Sequence, residues 1–254
     1  MPEWCAYLIF YVFVFLFGIA IGSFLNVCIY RYPKQESLMK GSHCMQCGYR
    51  LRWYDLVPLF SYLILRGRCR KCHTKLSLQY PLVEGMNGAL YVIVFLANGI
   101  NSISIVYCLL TSALIVLSVI DFRSYIIPDK VNLVILVLGI FAILLDREHW
   151  VSHIIGLFSV SVPLLILYLI STGRALGGGD IKLMGGAGLI VGWKVIVLAF
   201  LLGCILGSVI HLIRMKVSKA EHTLALGPYL SMGIWIAMLF GGPMINWYLE
   251  LCGL

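Results

Sequence analysis

The amino-acid sequence predicts an all-α polytopic membrane protein, with about eight transmembrane helices and a small soluble domain between the first two. Hydrophobic residues make up 61% of the 254 residues, and charged residues make up only 12%. Soluble domains contain about 45–50% apolar and about 25% charged residues, so this composition excludes an ordinary soluble domain. A further observation is the distribution of Lys and Arg, which are concentrated in one polar segment and in short loops between apolar runs.

Three regions follow from the polarity pattern. Residues 1–30 hold the first transmembrane helix, expected from about Cys5 to Tyr30. Residues 31–81 form a polar segment that is rich in Lys and Arg, and residues 82–254 hold seven more apolar segments. Because cytosolic loops of membrane proteins carry an excess of Lys and Arg, we expect the polar segment in the cytosol and the amino terminus outside.

The remaining spans alternate in direction from this starting point. In this topology every Lys and Arg except Arg147 and Lys194 lies on the cytosolic side, so the net charge of +8 reflects membrane orientation, and no nucleic-acid partner is expected. The sixth apolar segment covers only about 15 Å, so it is either a short helix counted from Asp180 or a re-entrant one. Pro163 predicts a kink in the fifth span. The segments are expected at about 82–97, 102–120, 131–145, 153–171, 183–192, 195–213 and 229–249.

Two cysteine pairs lie within the polar segment. Cys44 and Cys47 form one CxxC pair, and Cys69 and Cys72 form a second. The segment between the pairs is slightly longer than the usual spacing of about 15–20 residues in paired zinc knuckles. Four thiolates suit a closed structural zinc site, and a cytosolic location argues against disulfides. The sequence therefore predicts a zinc-ribbon-like domain, with free thiols as the alternative.

Two aspartates are predicted at the same membrane face. Asp121 lies where the third span leaves the bilayer, and Asp180 follows the glycines Gly177–Gly179 where the sixth segment enters it. A carboxylate at the edge of a hydrocarbon span is costly, so such a residue is by default a functional-site hypothesis. The alternative is a glycine-rich turn in which Asp180 only caps the next helix. Asp129, after Pro128, is an alternative to Asp121 as the second carboxylate of the pair. An N-cap role for Asp129 is the simpler interpretation.

A close pair of carboxylates can activate water. One carboxylate takes a proton from water, and the protonated one polarises a carbonyl group, because two adjacent carboxylates cannot both ionise. Asp180 begins a predicted helix and Asp121 ends one, so the helix dipoles predict that Asp180 is the more acidic and that Asp121 carries the shared proton. A proton-coupled transporter could use the same pair, but we find no inverted repeat of the kind common in transporters.

The ordered set of motifs resembles a known family. Gly177-x-Gly179-Asp180, with Asp121 upstream of Ile127-Pro128-Asp129, is similar to the GxGD intramembrane aspartyl proteases, and the nearest branch is the bacterial type IV prepilin peptidases. The resemblance covers nearly the whole chain. Its other motifs are Gly22-Ser-Phe-Leu-Asn26-Val27 with Arg31, Trp53-Tyr54-Asp55 with Pro58, Gly67-Arg-Cys-Arg70, Tyr80-Pro-Leu-Val-Glu84 and Gly227-Pro228-Tyr229.

The resemblance implies an enzyme of the bacterial inner membrane with Asp121 and Asp180 as its catalytic pair. Such enzymes cut the short basic leader from prepilin or pseudopilin precursors at the cytosolic membrane face. Many then methylate the new amino terminus with S-adenosylmethionine, for which Glu84, Asn26 and Arg31 are the candidates here. Glu84 could equally be an acid stabilised by the helix dipole. Asp55 and Glu84 are also candidates to receive the basic leader.

Alternatives to this function remain open from the sequence. The chain could be a peptidase without methyltransferase activity, or a non-catalytic assembly protein that binds pilin-like helices. The sequence does not distinguish among pili, secretion and DNA uptake as the process served.

Overall fold

The structure is a computed structural model that describes residues 3–38, 40–174, 176–218 and 225–253. Within these ranges the regular structure is helical, and the only β pairing consists of two isolated bridges, His43–Arg50 and Arg68–Lys75. The chain divides into two compact units, residues 1–96 and residues 97–254, which are described separately. Both chain termini, whose sides of the membrane the sequence predicts, lie outside the described residues.

Helices of both units follow the predicted apolar segments. The first unit contains α1 (Glu3–Arg31), a 3-10 turn (Trp53–Leu56), α2 (Phe60–Ile64) and most of α3 (Gln79–Asn98). The second unit contains α4 (Ser102–Ser124), α5 (Asp129–Leu145), α6 (Trp150–Ser159), α7 (Ser161–Ile170), α8 (Gly178–Val191), α9 (Trp193–Ser218) and α10 (Gly227–Leu251).

Six helical stretches in the described part of the chain are long and apolar enough to cross a membrane. They are Trp4–Arg31, Gln79–Asn98, Ser102–Ser124, Trp150–Ile170 (α6 with α7), Trp193–Lys216 and Gly227–Leu251. The helical multi-pass architecture is thus confirmed. Helices α5 and α8 occupy the other two predicted positions, but they have 17 and 14 residues, fewer than the roughly 20 that a straight span needs. The count of eight spans therefore stays a prediction.

The fifth predicted span is interrupted where proline requires it. α6 ends at Ser159 and α7 begins at Ser161, so the break lies just before Pro163. Proline has no N–H to donate to the carbonyl group four residues earlier, which here belongs to Ser159, and its ring clashes with that carbonyl. The predicted kink is present.

Small residues bring α1 and α3 together in the first unit. A Cβ added to Gly18 would lie 2.7 Å from Cα of Gly88, and one added to Gly22 would lie 2.7 Å from Cα of Glu84. The side-chain amide of Asn87 donates a hydrogen bond of 2.7 Å to the carbonyl oxygen of Gly18. Close backbone approach through small residues is the usual way in which membrane helices pack.

Glycines also hold α8 against its neighbours in the second unit. Gly188 of α8 faces Gly156 of α6, and a Cβ at either position would overlap the carbonyl oxygen of the other residue. A Cβ at Gly186 would lie 3.1 Å from the side chain of Ile135 in α5. The ring Nδ1 of His153 lies 3.0 Å from the carbonyl oxygen of Leu189, near the end of α8. These contacts fix the helix that begins at the glycine-rich loop.

Candidate functional site

Asp121 occupies the last turn of α4, a helix that is buried along most of its length. The helix ends at Ser124, and Tyr125 then takes the left-handed conformation (φ +55°) while its N–H donates 2.8 Å to the carbonyl oxygen of Asp121. This αL cap closes the helix just after the aspartate. The Asp121 side chain is buried, as expected for a carboxylate enclosed by neighbouring helices.

Asp180 is the third residue of α8, whose N-cap is Gly177. The backbone of Gly177 hydrogen-bonds the Asp180 carboxylate, which is one half of a capping box. The other carboxylate oxygen, Oδ1, is buried and has no hydrogen-bond partner in the described part of the chain. A buried oxygen of this kind costs free energy unless it carries a proton or meets a ligand.

One cavity of about 290 Å³ brings the two aspartates together. It opens where α4 ends, α8 begins and α10 begins. Pro128 and Asp129 are not among its walls. Its lining residues are Asp121, Tyr125, Ile126, Ile127, Gly177, Gly178, Gly179, Asp180, Ala225 and Leu226. The predicted pair thus lines one cavity, at the point where α4 ends and α8 begins.

The spacing of the glycines has a steric cause. A Cβ at Gly179 would lie 2.7 Å from Cβ of Ile127, and one at Gly177 would lie 3.1 Å from Oδ2 of Asp180. A Cβ at Gly178 would meet nothing within 4 Å. The Gly-x-Gly-Asp pattern therefore matches the space around each position, because the middle residue alone has room for a side chain.

Gly227 is a site residue whose role sequence reasoning missed. Its backbone N–H donates a hydrogen bond of 2.9 Å to Oδ2 of Asp121. Because Gly227 is the first residue of α10, the N-terminus of that helix points at the carboxylate and favours its ionised form. The sequence-based assignment of the shared proton to Asp121 took account of α4 and α8 but not of the N-terminus of α10. Both aspartates therefore meet a helix N-terminus, and Asp180 alone of the pair has a buried carboxylate oxygen without a partner among the described residues.

Asn132 and Lys182 are two further residues that connect α5 to the glycine loop. The side-chain amide of buried Asn132 donates 3.3 Å to the carbonyl oxygen of Gly179, while its own oxygen is buried without a partner among the described residues. Lys182 pairs with Asp129 at 2.5 Å on an exposed surface. Asp129 is the first residue of α5 and Pro128 is its N-cap, so Asp129 serves this ion pair and does not cap the helix with its side chain.

The four predicted cysteines come together in the first unit. Their sulfur atoms all lie within 4.8 Å of one another, with Cys44 to Cys72 at 3.8 Å and Cys47 to Cys69 at 4.0 Å. A tetrahedral zinc ion with Zn–S bonds of about 2.3 Å requires sulfur atoms about 3.8 Å apart. The donor set and its spacing therefore fit a structural zinc ion.

Both cysteine pairs are built in the same way. The N–H of Cys44 donates to the carbonyl oxygen of Tyr49, and the N–H of Cys69 donates to that of Thr74. The residue after each second cysteine has positive φ: Gly48 at +68° and His73 at +55°. The side-chain hydroxyl and the backbone of Thr74 lower the pKa of the Cys72 thiol to about 6, which favours the thiolate form that binds metal.

A second cavity, of about 380 Å³, lies in the first unit and is lined by Asn26, Arg31 and Glu84 among others. Arg31 donates from Nη1 to three backbone carbonyl oxygens, those of Ser37, Leu38 and Lys40. Asn26 donates 3.1 Å to the carbonyl oxygen of Tyr80. These two side chains therefore hold the walls of the cavity together.

The two acids suggested as receptors for a basic leader are buried and already paired. Asp55 accepts a hydrogen bond of 2.7 Å from Arg70. Glu84 is buried, and its Oε2 accepts the backbone N–H of Leu59 at 2.8 Å. Both residues line the second cavity, but each carboxylate already accepts a hydrogen bond within the chain, so their role as receptors for the leader stays a prediction. Sequence alone could not show which acids were already paired.

Comparisons with known families cover both units. Residues 16–98 match the bacterial peptidase A24 N-terminal domain, and residues 108–212 match the type IV leader peptidase family. The first match includes the four cysteines, and the second includes Asp121 and Asp180. No solved structure matches the chain.

Curated relatives align with nearly the full chain. A protein of Pseudomonas putida named prepilin leader peptidase/N-methyltransferase is 31% identical, over 93% of this chain and 92% of its own. Proteins of the same name from Aeromonas salmonicida and Neisseria gonorrhoeae are each 30% identical, and they cover 93% and 91% of this chain and 93% and 92% of their own. The chain therefore belongs to the type IV prepilin leader peptidase family.

Proposed function

We propose that the chain is a membrane-embedded aspartyl endopeptidase that cleaves the leader of prepilin-like or pseudopilin-like precursors. The observation that carries this proposal is the cavity of about 290 Å³ shared by two buried aspartates, each of which meets the N-terminus of a helix. The family relationship supports the peptidase class and the kind of substrate. The positively charged segment after α1 supports cleavage at the cytosolic face of the bacterial inner membrane.

The two environments define different roles for the aspartates. Asp121, with the Gly227 N–H on Oδ2, is the ionised partner and takes a proton from the attacking water. Asp180 carries its proton on Oδ1 and donates it as a hydrogen bond to the scissile carbonyl oxygen, whose charge develops during attack. The water oxygen bonds to the carbonyl carbon. Asp121 then gives its proton to the leaving amine as the C–N bond breaks.

Single substitutions in the full chain test this proposal. Asp121→Asn and Asp180→Asn each keep the shape of the side chain but remove its ionisation. Purified protein in detergent is incubated with a prepilin-like peptide, and mass spectrometry follows cleavage. We expect each variant to lose cleavage by several orders of magnitude, as happens when one member of a catalytic unit is removed.

Asp129→Asn is the matched control, because Asp129 lies outside the cavity and pairs with Lys182 on the surface. It should retain most of the activity. Cleavage that survives in either Asp121→Asn or Asp180→Asn would remove that residue from the catalytic pair. Loss of cleavage in Asp129→Asn alone would move the site to the start of α5.

We further propose N-methylation of the new amino terminus, with S-adenosylmethionine as the methyl donor, at the cavity of the first unit. The name of the relatives and the size of the cavity, about 380 Å³, support this second activity. Pockets for small ligands commonly have about 300–1,000 Å³ and a few polar groups that fix orientation. S-adenosylmethionine, when bound, supplies an electrophilic methyl group.

The chain's own residues would bind and orient the reactants there. Glu84 and Glu36 are carboxylates on the cavity wall, and a carboxylate can accept hydrogen bonds from ribose hydroxyls or from an ammonium group. Arg31 and Asn26 act through the backbone they hold, so we assign them a positioning role. Glu84→Gln and Arg31→Ala should lower methylation of a pre-cut peptide while cleavage by the Asp pair continues. Equal loss of both reactions would argue for one shared site.

Zinc bound by Cys44, Cys47, Cys69 and Cys72 would have a structural role, because four protein ligands leave no open coordination position. We propose residues 31–81 as this zinc-binding cytosolic domain and residues 82–254 as the membrane domain with the protease site. The amino terminus would then lie outside. Labelling with a membrane-impermeant reagent in intact cells and in inverted vesicles tests this orientation.

A further inference from the structure

Large apolar side chains are exposed in the segment between α1 and α3, on α2 and in the 3-10 turn that contacts it. Trp53 is 79% exposed, Leu63 is 70% exposed and Ile64 is 76% exposed, and Phe60 of α2 is also exposed. Phe60, Leu63 and Ile64 have i, i+3 and i+4 spacing, so they lie on the same side of α2. We call these four residues the apolar face. An exposed group of aromatic and aliphatic side chains indicates an interaction surface.

The inward side of α2 faces the second cysteine pair. Tyr62 lies between the exposed positions in sequence, and its hydroxyl group is 3.4 Å from the carbonyl oxygen of Leu76. A Cβ at Gly67 would lie 2.7 Å from that hydroxyl oxygen. Tyr62 therefore packs against the zinc segment and leaves the apolar face pointing away from it.

A strained turn sets the direction of α2. Leu59, which precedes it, has φ +58° and ψ −52°, and the N–H of Phe60 donates 2.6 Å to the carbonyl oxygen of Pro58. This is a γ-turn with positive φ, which is rare and strained for a residue with a side chain. The conformation is held because the N–H of Leu59 donates 2.8 Å to the carboxylate of Glu84.

Glu84 places the turn at the level of the membrane boundary. It is the sixth residue of α3, a helix long and apolar enough to span the membrane from Gln79 onward. At 1.5 Å per residue Glu84 lies about 7.5 Å along the helix from Gln79. The start of α2 is therefore tied to a spanning helix within the depth of the headgroup region, where amphipathic helices lie.

The charges around the apolar face match an anionic surface. Arg52 immediately precedes Trp53, and Arg66 follows α2 after one residue; neither side chain is buried. The surrounding segment carries many more Lys and Arg than acids. Tryptophan at the interface and Arg beside lipid phosphates are the usual anchors of such surfaces.

We infer that the apolar face inserts into the headgroup region of the leaflet on the side of the cysteine cluster, with anionic phospholipid as its partner. The Glu84–Leu59 hydrogen bond aims α2 into that layer. The zinc segment would then be held against the bilayer at a third point, in addition to the ends of α1 and α3. Its cavity would open close to the membrane surface.

Photo-crosslinking in the full chain tests this inference. A benzophenone amino acid replaces Leu63 or Ile64, and the protein is placed in nanodiscs of phosphatidylglycerol and phosphatidylethanolamine. Mass spectrometry measures lipid adducts after irradiation. Met45 is the matched control, because it is apolar and exposed but lies in the first cysteine pair, outside the apolar face. We expect several times more lipid adduct at Leu63 and Ile64 than at Met45.

Substitution of Glu84, which holds the turn at Leu59, gives a second test of the inference. Glu84→Ala should lower lipid adducts at Leu63 towards the Met45 level, whereas Glu84→Gln keeps an acceptor for Leu59 and should leave them unchanged. Equal labelling at Leu63 and Met45 would overturn the inference. Crosslinks to an added prepilin-like peptide, with no lipid adducts, would also overturn it. That result would make the face a substrate-docking surface.

Discussion

The backbone N–H of Gly227 donates a hydrogen bond of 2.9 Å to Oδ2 of Asp121, although the two residues are far apart in sequence. This contact joins the end of α4 to the beginning of α10. A Cβ at Gly227 would lie 2.6 Å from the same carboxylate oxygen and 3.0 Å from Cδ2 of Leu117. Glycine at this position therefore allows the amide to reach the aspartate.

Gly227→Ala should lower the rate of peptide cleavage by about 100-fold, because the added methyl group displaces Asp121 while the protein stays folded. Cleavage kinetics with a prepilin-like peptide measure the effect. Gly242→Ala is the control, since it lies in the same helix and its Cβ would meet nothing within 4 Å. Similar activity in the two variants would contradict the proposed role of the Gly227 contact.

Gly179→Ala should also abolish most cleavage, because its Cβ would collide with Cβ of Ile127, an atom that no side-chain rotation can move. Gly178→Ala should retain activity, since that position is open. The double variant Gly179→Ala with Ile127→Gly, which removes the Cβ of residue 127, should recover part of the lost rate. Failure of this rescue, with the fold intact by circular dichroism, would show that the collision is not the cause.

Asn132→Ala should lower kcat about tenfold with little change in KM, because one hydrogen bond to the Gly179 carbonyl oxygen is lost and the loop that carries Asp180 is less restrained. Steady-state kinetics separate the two constants. Asn101→Ala is the comparison, as this residue caps the opposite end of α4. A change confined to KM would instead indicate that Asn132 contacts the substrate.

Cys44→Ser and Cys69→Ser should each reduce bound zinc from one ion per chain towards none, because a structural site needs all four ligands. Metal analysis measures the zinc, and limited proteolysis reports the order of residues 31–81. Cys252→Ser is the control, as this thiol lies in an exposed position away from the cluster. Retention of full zinc content in both ligand variants would exclude the four-cysteine site.

Gly48→Ala should weaken zinc retention against a competing chelator about fivefold, corresponding to about 1 kcal/mol for a side chain at φ +68°. His73→Gly at the equivalent position should cause no such loss. The strain removed there, at φ +55°, is offset by the greater backbone entropy of glycine in the unfolded chain. A larger loss in His73→Gly than in Gly48→Ala would contradict the equivalence of the two pairs.

Composition and charge were sufficient to predict the helical membrane architecture, because apolar length and the placement of Lys and Arg are properties of the chain itself. The cysteine cluster was also predictable, since its spacing is local. Asp121 and Asp180 could be paired because the predicted alternation of spans assigns both residues to one face. The number of spans was harder to predict, because α5 and α8 are short and how deeply they enter the membrane depends on packing.

The contacts that define the site could not be predicted in this way. Gly227 meets Asp121 only after α4 and α10 have packed, and no local signal marks that contact. The hydrogen bond from Asn132 to the carbonyl oxygen of Gly179 is likewise a contact between distant parts of the sequence. Glu84 was proposed for its chemistry, whereas its hydrogen bond to the strained Leu59 is a tertiary contact. For the same reason the assignment of the shared proton to Asp121 left out the N-terminus of α10.

The reciprocal contact of Gly156 and Gly188 has a consequence for how the protein can vary over evolution. Each glycine is blocked by the backbone carbonyl of the other, and a backbone atom cannot be replaced by a smaller one. No second substitution elsewhere can open this space unless the two helices separate, and separation would move the helix that carries Asp180. Neither glycine can therefore be replaced while the two helices keep this crossing, so we expect relatives with the same crossing to have glycine at both positions.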